Sequence, residues 1–175
     1  MVVDDHNYMG LALAEARRGL ETFSAMPIGA VLVSADGAIL GEACWNGGNE
    51  GLLAHPERLV LDEVDRTIAW AERRTSTLYT TLEPCLMCVG TAMTFFLGRI
   101  VFALSSQADG ASSVAELWHP PLGHPKGTGS AYSLPTIEGG LRADDSRALI
   151  DEWLDRGIQG GKADFARLAV SAPSL

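Results

Sequence analysis

Cys85 and Cys88 stand three positions apart in the run Pro84-Cys85-Leu86-Met87-Cys88. Pro84 reads as a helix start, and thiols at i and i+3 lie on one face of a first helical turn, where both can grip one metal ion. A helix N-terminus also favours the thiolate, the form that binds metal. Alone, such a pair fits a redox couple, half of a structural zinc site or half of a catalytic one. The discriminating residues lie 30 positions upstream, where His55-Pro56-Glu57 opens another predicted helix. They add one imidazole and, two residues on, a carboxylate. Two thiolates and an imidazole are three ligands; in catalytic zinc sites the fourth position holds water, whose pKa falls to about 7. Glu57 can take that water's proton and pass it to a leaving group. These are the ingredients of hydrolytic attack on an electron-poor carbon.

Two other readings of the cysteines compete. His119 and His124 could complete a structural site, but 30 residues separate Cys88 from His119, against about 12–15 in common zinc fingers. A redox pair needs no upstream histidine or glutamate. Both leave His55 and Glu57 unexplained.

The elements that must position these groups follow from periodicity. Apolar residues from Tyr8 to Leu20 recur at helical spacing. Ile28–Ser34 and Ala38–Trp45 flank Asp36-Gly37 and read as a β-hairpin. A helix is expected from His55 to about Arg73, because Pro is favoured at the first helical position. Leu78–Leu82 reads as a strand, Leu86–Leu97 as a helix and Ile100–Leu104 as a buried strand. Residues 105–140 lose periodicity and are rich in Gly, Pro and Ser, which suits a lid or pocket loop. Arg142–Arg156 and Lys162–Val170 read as C-terminal helices, giving one domain over 1–175 with helices in 141–175. The order α-β-β-α-β-α-β argues for an α/β fold with a mixed sheet between helices. Trp70 and Trp153 fall on helical patterns as core residues, and Cys44 as a buried small hydrophobe.

The constellation His55-x-Glu57 followed by Pro84-Cys85-x-x-Cys88 resembles the cytidine deaminase superfamily. So do Pro27-Ile28-Gly29-Ala30-Val31-Leu32-Val33, Gly41, Trp45-Asn46, Leu78-Tyr79-Thr80-Thr81-Leu82-Glu83 and Gly98-Arg99-Ile100-Val101-Phe102-Ala103. The likeness covers roughly residues 8–104 and is greatest to the branch of bacterial tRNA adenosine deaminases and guanine deaminases. It implies a three-layer α/β/α cytidine deaminase-like fold and hydrolytic deamination of an aminated ring. It also implies Zn2+ held by His55, Cys85 and Cys88, a proton shuttled by Glu57, and dimers. Asn46 would hydrogen-bond the base, and the backbone around Glu83 would lie against the reacting centre. Trp118, in the irregular segment, is a candidate for stacking on a flat heterocycle. One residue departs from the pattern. The middle of His-x-Glu is usually a small residue whose N–H can meet an acceptor on the substrate; Pro56 has none. That points away from plain cytosine or guanine.

Composition narrows the substrate. The 175 residues carry 22 Asp+Glu against 13 Lys+Arg, a net charge of −9. From Gly140 to Leu175 there are five Lys/Arg against six Asp/Glu, a poor grip for an anionic stem-loop. The expectation is a zinc-dependent hydrolase acting on a small amino-heterocycle, with nucleic acid disfavoured. The alternatives are a tRNA adenosine deaminase and a zinc-bearing scaffold without turnover. Acids where a signal peptide carries cations, and no membrane-length apolar run, suggest a cytoplasmic protein.

Overall fold

The computed structural model describes residues 4–46, 51–117 and 132–171. The chain runs through α1 (Asp5–Phe23), β1 (Gly29–Val33), β2 (Ile39–Cys44), α2 (Pro56–Val64), α3 (Trp70–Arg73), β3 (Thr77–Leu82) and α4 (Leu86–Phe95). It continues through β4 (Arg99–Leu104), α5 (Ser112–Glu116), β5 (Thr136–Glu138), α6 (Ala143–Asp155) and α7 (Gly161–Val170). The strands form a sheet in the order β2-β1-β3-β4-β5. β1 is antiparallel to β2 and β3, while β3, β4 and β5 run parallel. The α/β fold with a mixed sheet is the one expected.

Alternation along the strands divides the core into two layers. Ala30, Leu32, Leu78 and Ile100 point to one face and pack with Val60, Leu61 and Val64 of α2 and Ala92 and Phe95 of α4. Val31, Val33, Tyr79, Val101 and Ala103 point to the other, against Met9, Ala12, Leu13 and Ala16 of α1 and Leu149 of α6. A further cluster joins Leu20, Leu82, Leu104, Ile150 and Trp153 to Ala166 and Ala169 of α7. The Trp153 indole N–H donates to Ser24 O at 2.9 Å, so Trp153 is core, as its pattern indicated. Cys44 is buried too.

The hairpin turns where expected, with Gly37 at a φ of +92°, which a side chain would oppose. Four expectations are corrected. The helix from His55 stops at Val64 rather than near Arg73, because Arg73 returns to hydrogen-bond Asp65 Oδ1 at 2.5 Å and the Asp65 carbonyl; only the short α3 follows. Trp70 is 57% exposed rather than core, lying over Phe96 with ring centroids 4.7 Å apart. Residues 105–140 are not structureless, since they include α5 and the edge strand β5. β5 is anchored by Arg99 of β4, which pairs with Glu138 at 2.7 Å and with Asp5 at 2.8 Å. The fourth helix ends at Phe95 rather than Leu97, because Phe96 turns left-handed at a φ of +64°. Among the described residues no helix is long and apolar enough to cross a membrane.

Candidate metal centre and active site

The C-terminal ends of parallel strands are where α/β sheets commonly place ligands, and β3 leads there directly into Glu83, Pro84 and Cys85. Cys85 is the N-cap of α4 and His55 the N-cap of α2; neither side chain caps its helix, so both are available to a ligand. Two helix N-termini thus converge on one spot, and their positive ends favour thiolate there. Pro56 occupies the first turn of α2 and is buried, as its missing N–H allows.

His55 Nδ1 lies 3.6 Å from Cys85 Sγ and 3.6 Å from Cys88 Sγ, and the two sulfurs are 3.6 Å apart. Tetrahedral zinc, with bonds of about 2.3 Å to sulfur and about 2.0 Å to nitrogen, needs ligands separated by about 3.5–3.8 Å. The triangle matches without rearrangement, and the donor set is one that zinc takes. The site is prepared electrostatically as well. A hydrogen bond from the Cys88 thiol, and another from His55, hold Cys85 down to about 4. Cys88 is pushed up because it donates to that thiolate. His55 is raised by its hydrogen bond to Cys85.

Glu57, in the first turn of α2, is 3% exposed. Thr80 Oγ1 donates to its Oε1 at 2.8 Å, and its Oε2 lies 3.5 Å from Cys88 Sγ. Burial pushes the Glu57 carboxyl up from its usual range. Thr80 comes from β3 and was not singled out from sequence; beyond lying in the resembling Leu78–Glu83 run, its signal is the alternation that turns it to the α2 face.

The loop after β4 is tied to the metal helix through Glu83. Its carboxylate accepts from Ser106 N at 3.0 Å, Ser112 N at 3.2 Å and the Ser112 hydroxyl. Gly110 is required here, because a Cβ would come within 2.4 Å of Glu83 Oε2 and 2.6 Å of Ser106 O. This anchoring brings Asp109 to the site, where Ser106 Oγ donates to its Oδ1 at 2.8 Å and burial pushes its carboxyl up. Asp109 had no signal of its own in the sequence.

A cavity of about 280 Å³ opens on these groups; its walls include Trp45, Pro56, Glu57, Cys85, Asp109 and Phe165. Glu83 also lines it, although its carboxylate is engaged with the loop. Asn46 follows the pocket residue Trp45 and is 7% exposed, and its Oδ1 has no hydrogen-bond partner among the described residues. Trp118, His119 and His124 lie outside the described residues. A larger cavity, about 690 Å³, is lined by α2 and α4 residues including Leu61, Met87 and Phe95, and holds none of the metal-ligating groups.

Comparison with known proteins agrees with this geometry. Residues 2–104 match the model of the cytidine and deoxycytidylate deaminase zinc-binding region. A tRNA-specific adenosine deaminase of Bacillus subtilis is 35% identical over 112 residues, which are 63% of this chain and 68% of that protein. A tRNA(Ile)-lysidine synthase of Deinococcus radiodurans is 33% identical over 149 residues, 84% of this chain and 24% of that protein. The chain therefore spans about a quarter of that relative's length. A structure solved in a study of A-to-I editing by tRNA:A34 deaminases at the wobble position superposes with a TM-score of 0.61 at 28% identity. It covers 82% of this chain and 98% of the solved one.

Proposed function

The chain belongs to the cytidine and deoxycytidylate deaminase zinc-binding family, and from that premise we propose that it hydrolytically releases ammonia from a small amino-heterocycle. The observation that carries the reading is the 3.6 Å ligand triangle beside a buried Glu57, both opening on one cavity. His55, Cys85 and Cys88 would hold zinc, and His55 and Cys85 line the cavity. Zinc held by three such ligands supplies Lewis-acid activation of water.

The proposed role of Glu57 follows from its surroundings. Thr80 fixes one carboxyl oxygen, so the other is held at the metal ligands. From there it takes the attacking water's proton and passes it to a ring nitrogen of the substrate, then takes the remaining proton of the added hydroxyl and gives it to departing ammonia. A carboxyl raised by burial suits such repeated transfer. Pro56 offers no N–H to the pocket. A substrate acceptor directed there would go unpaired, at about 1–3 kcal/mol.

A second reading, tRNA adenosine deamination, is favoured by the 35% identity to the Bacillus subtilis enzyme. The net charge of −9 and the acidic C-terminal region weigh against a grip on an anionic stem-loop. The test is ammonia release by the zinc-loaded protein from purines, pyrimidines, pterins, triazines, their nucleosides and a tRNA anticodon stem-loop. Turnover of a small heterocycle is the expected result. Activity confined to the stem-loop would establish the second reading, and no turnover at all would leave a zinc-bearing scaffold.

A further inference from the structure

The metal ligands occupy only one side of the cavity. They come from α2 and α4, which cover one face of the sheet. α7 packs on the other side, with α6, through Ala166 and Ala169 in the cluster around Trp153 and Ile150; Ala163 is likewise 0% exposed. These small side chains let α7 lie close to α6 and fix its position. Lys162 and Phe165, one turn apart on a neighbouring face of α7, then both line the cavity together with Gly161. Lys162 Nζ sits 5.1 Å from the centroid of the Trp45 ring, a cation–π contact that braces the indole from the α7 side. Phe165 packs in the same cluster as Trp45, Ile28 and Met26, the apolar groups of that wall. A pocket of about 280 Å³ lies just below the ~300–1,000 Å³ of sites for drug-sized ligands. Its limit on that side is set by α7.

Resting on the deaminase reading, we propose that Phe165 is a specificity-determining substrate contact: its ring, with the Trp45 indole, closes the pocket around a single free heterocycle. Lys162 acts as a positioning residue through Trp45. Nothing in the His55, Glu57, Cys85 and Cys88 chemistry demands this wall, so substituting it alters which molecules fit rather than how protons move. On this proposal Phe165 at the wall excludes a larger occupant, such as the same ring carrying a sugar.

The experiment uses the zinc-loaded full chain and its Phe165→Ala, Phe165→Leu and Phe165→Trp variants. Ammonia release is measured on each free base of the panel and on its nucleoside. Equilibrium binding of the same compounds is measured calorimetrically on each variant in the Glu57→Gln background, which needs no turnover. Phe165→Ala should raise KM for the free base about tenfold with kcat little changed. It should also shift the nucleoside-to-base ratio of kcat/KM at least about tenfold towards the nucleoside. Phe165→Leu, which keeps most of the wall's apolar packing, should fall between, and Phe165→Trp should shift the ratio the other way. If the binding ratio shifts without any ammonia release, the deaminase reading fails and the role of Phe165 stands. If ammonia is released but the ratio stays within twofold across the variants, the role of Phe165 is overturned and the deaminase reading stands. No binding of any panel member overturns it as well.

Discussion

Replacing Thr80 with Val removes the hydroxyl that holds Glu57; that hydroxyl also lies 3.3 Å from the Leu82 carbonyl oxygen. The side chains have the same shape, and both suit a strand position that is 0% exposed, so no cavity opens. What disappears is the hydroxyl that donates to Glu57 Oε1 at 2.8 Å. Glu57 is 3% exposed, so water cannot readily replace the donor. Leaving a buried acceptor unpaired costs about 1–3 kcal/mol, most of it felt by the ionised carboxylate. The hydrogen bond lowers the Glu57 carboxyl against the larger raising effect of burial. Its loss therefore raises the pKa further, by about one unit for each ~1.4 kcal/mol. If ionised Glu57 takes the water's proton, the acid limb of kcat/KM against pH moves up by about one to two units. The rate well below that limb then falls about tenfold or more. The assay is ammonia release from pH 5 to 9, with zinc content measured on the same samples. Thr80→Ser, which keeps the hydroxyl, should return the limb towards its original position. An unmoved limb in Thr80→Val with full zinc content would refute the coupling of Thr80 to the proton shuttle.

Other expectations concern the metal, the shuttle and the base of the fold. Glu57→Gln should retain about one zinc per chain while losing about 10²–10⁴-fold in ammonia release; undiminished turnover would remove Glu57 from the chemistry. Cys88→Ala should lose the metal by elemental analysis and melt at lower temperature, because metal binding contributes to folding; a variant with full zinc content would show that Cys88 is no ligand. Asp5 is held below its usual carboxyl range by its hydrogen bond from Arg99, with Tyr79 adding a second. A depressed carboxyl contributes stability in full above its unfolded value, near pH ~4, and loses it as pH falls through the lower folded value. Asp5→Asn should cost about 1 kcal/mol in urea denaturation at pH 7 and much less at pH 2.5; an equal loss at both values would contradict the assignment.

Local signals accounted for most elements, and for a reason visible in each. Asp36-Gly37 permits the hairpin turn, and the i and i+3 spacing puts Cys85 and Cys88 on one helical turn. β5 was not legible, because a strand of three residues has no period to read. The stop at Val64 escaped because it depends on Arg73 folding back to Asp65, a contact eight residues away. Trp70 shows the same weakness, since helical spacing locates a stripe but not the element that would cover it.

The grouping at the centre was legible in residue types and intervals: His55, Cys85 and Cys88 are donors that zinc takes, Glu57 stands two residues from His55, and each pair shares one helical turn. The pocket around them was not. Asp109 and Phe165 line it from a loop and the last helix, and Thr80 reaches Glu57 from a strand. Such convergence follows from sheet register, the Glu83 anchor and the packing of α7 on α6. Those are long-range contacts, and a chain carries no local periodicity for residues whose only relation is that they face the same space.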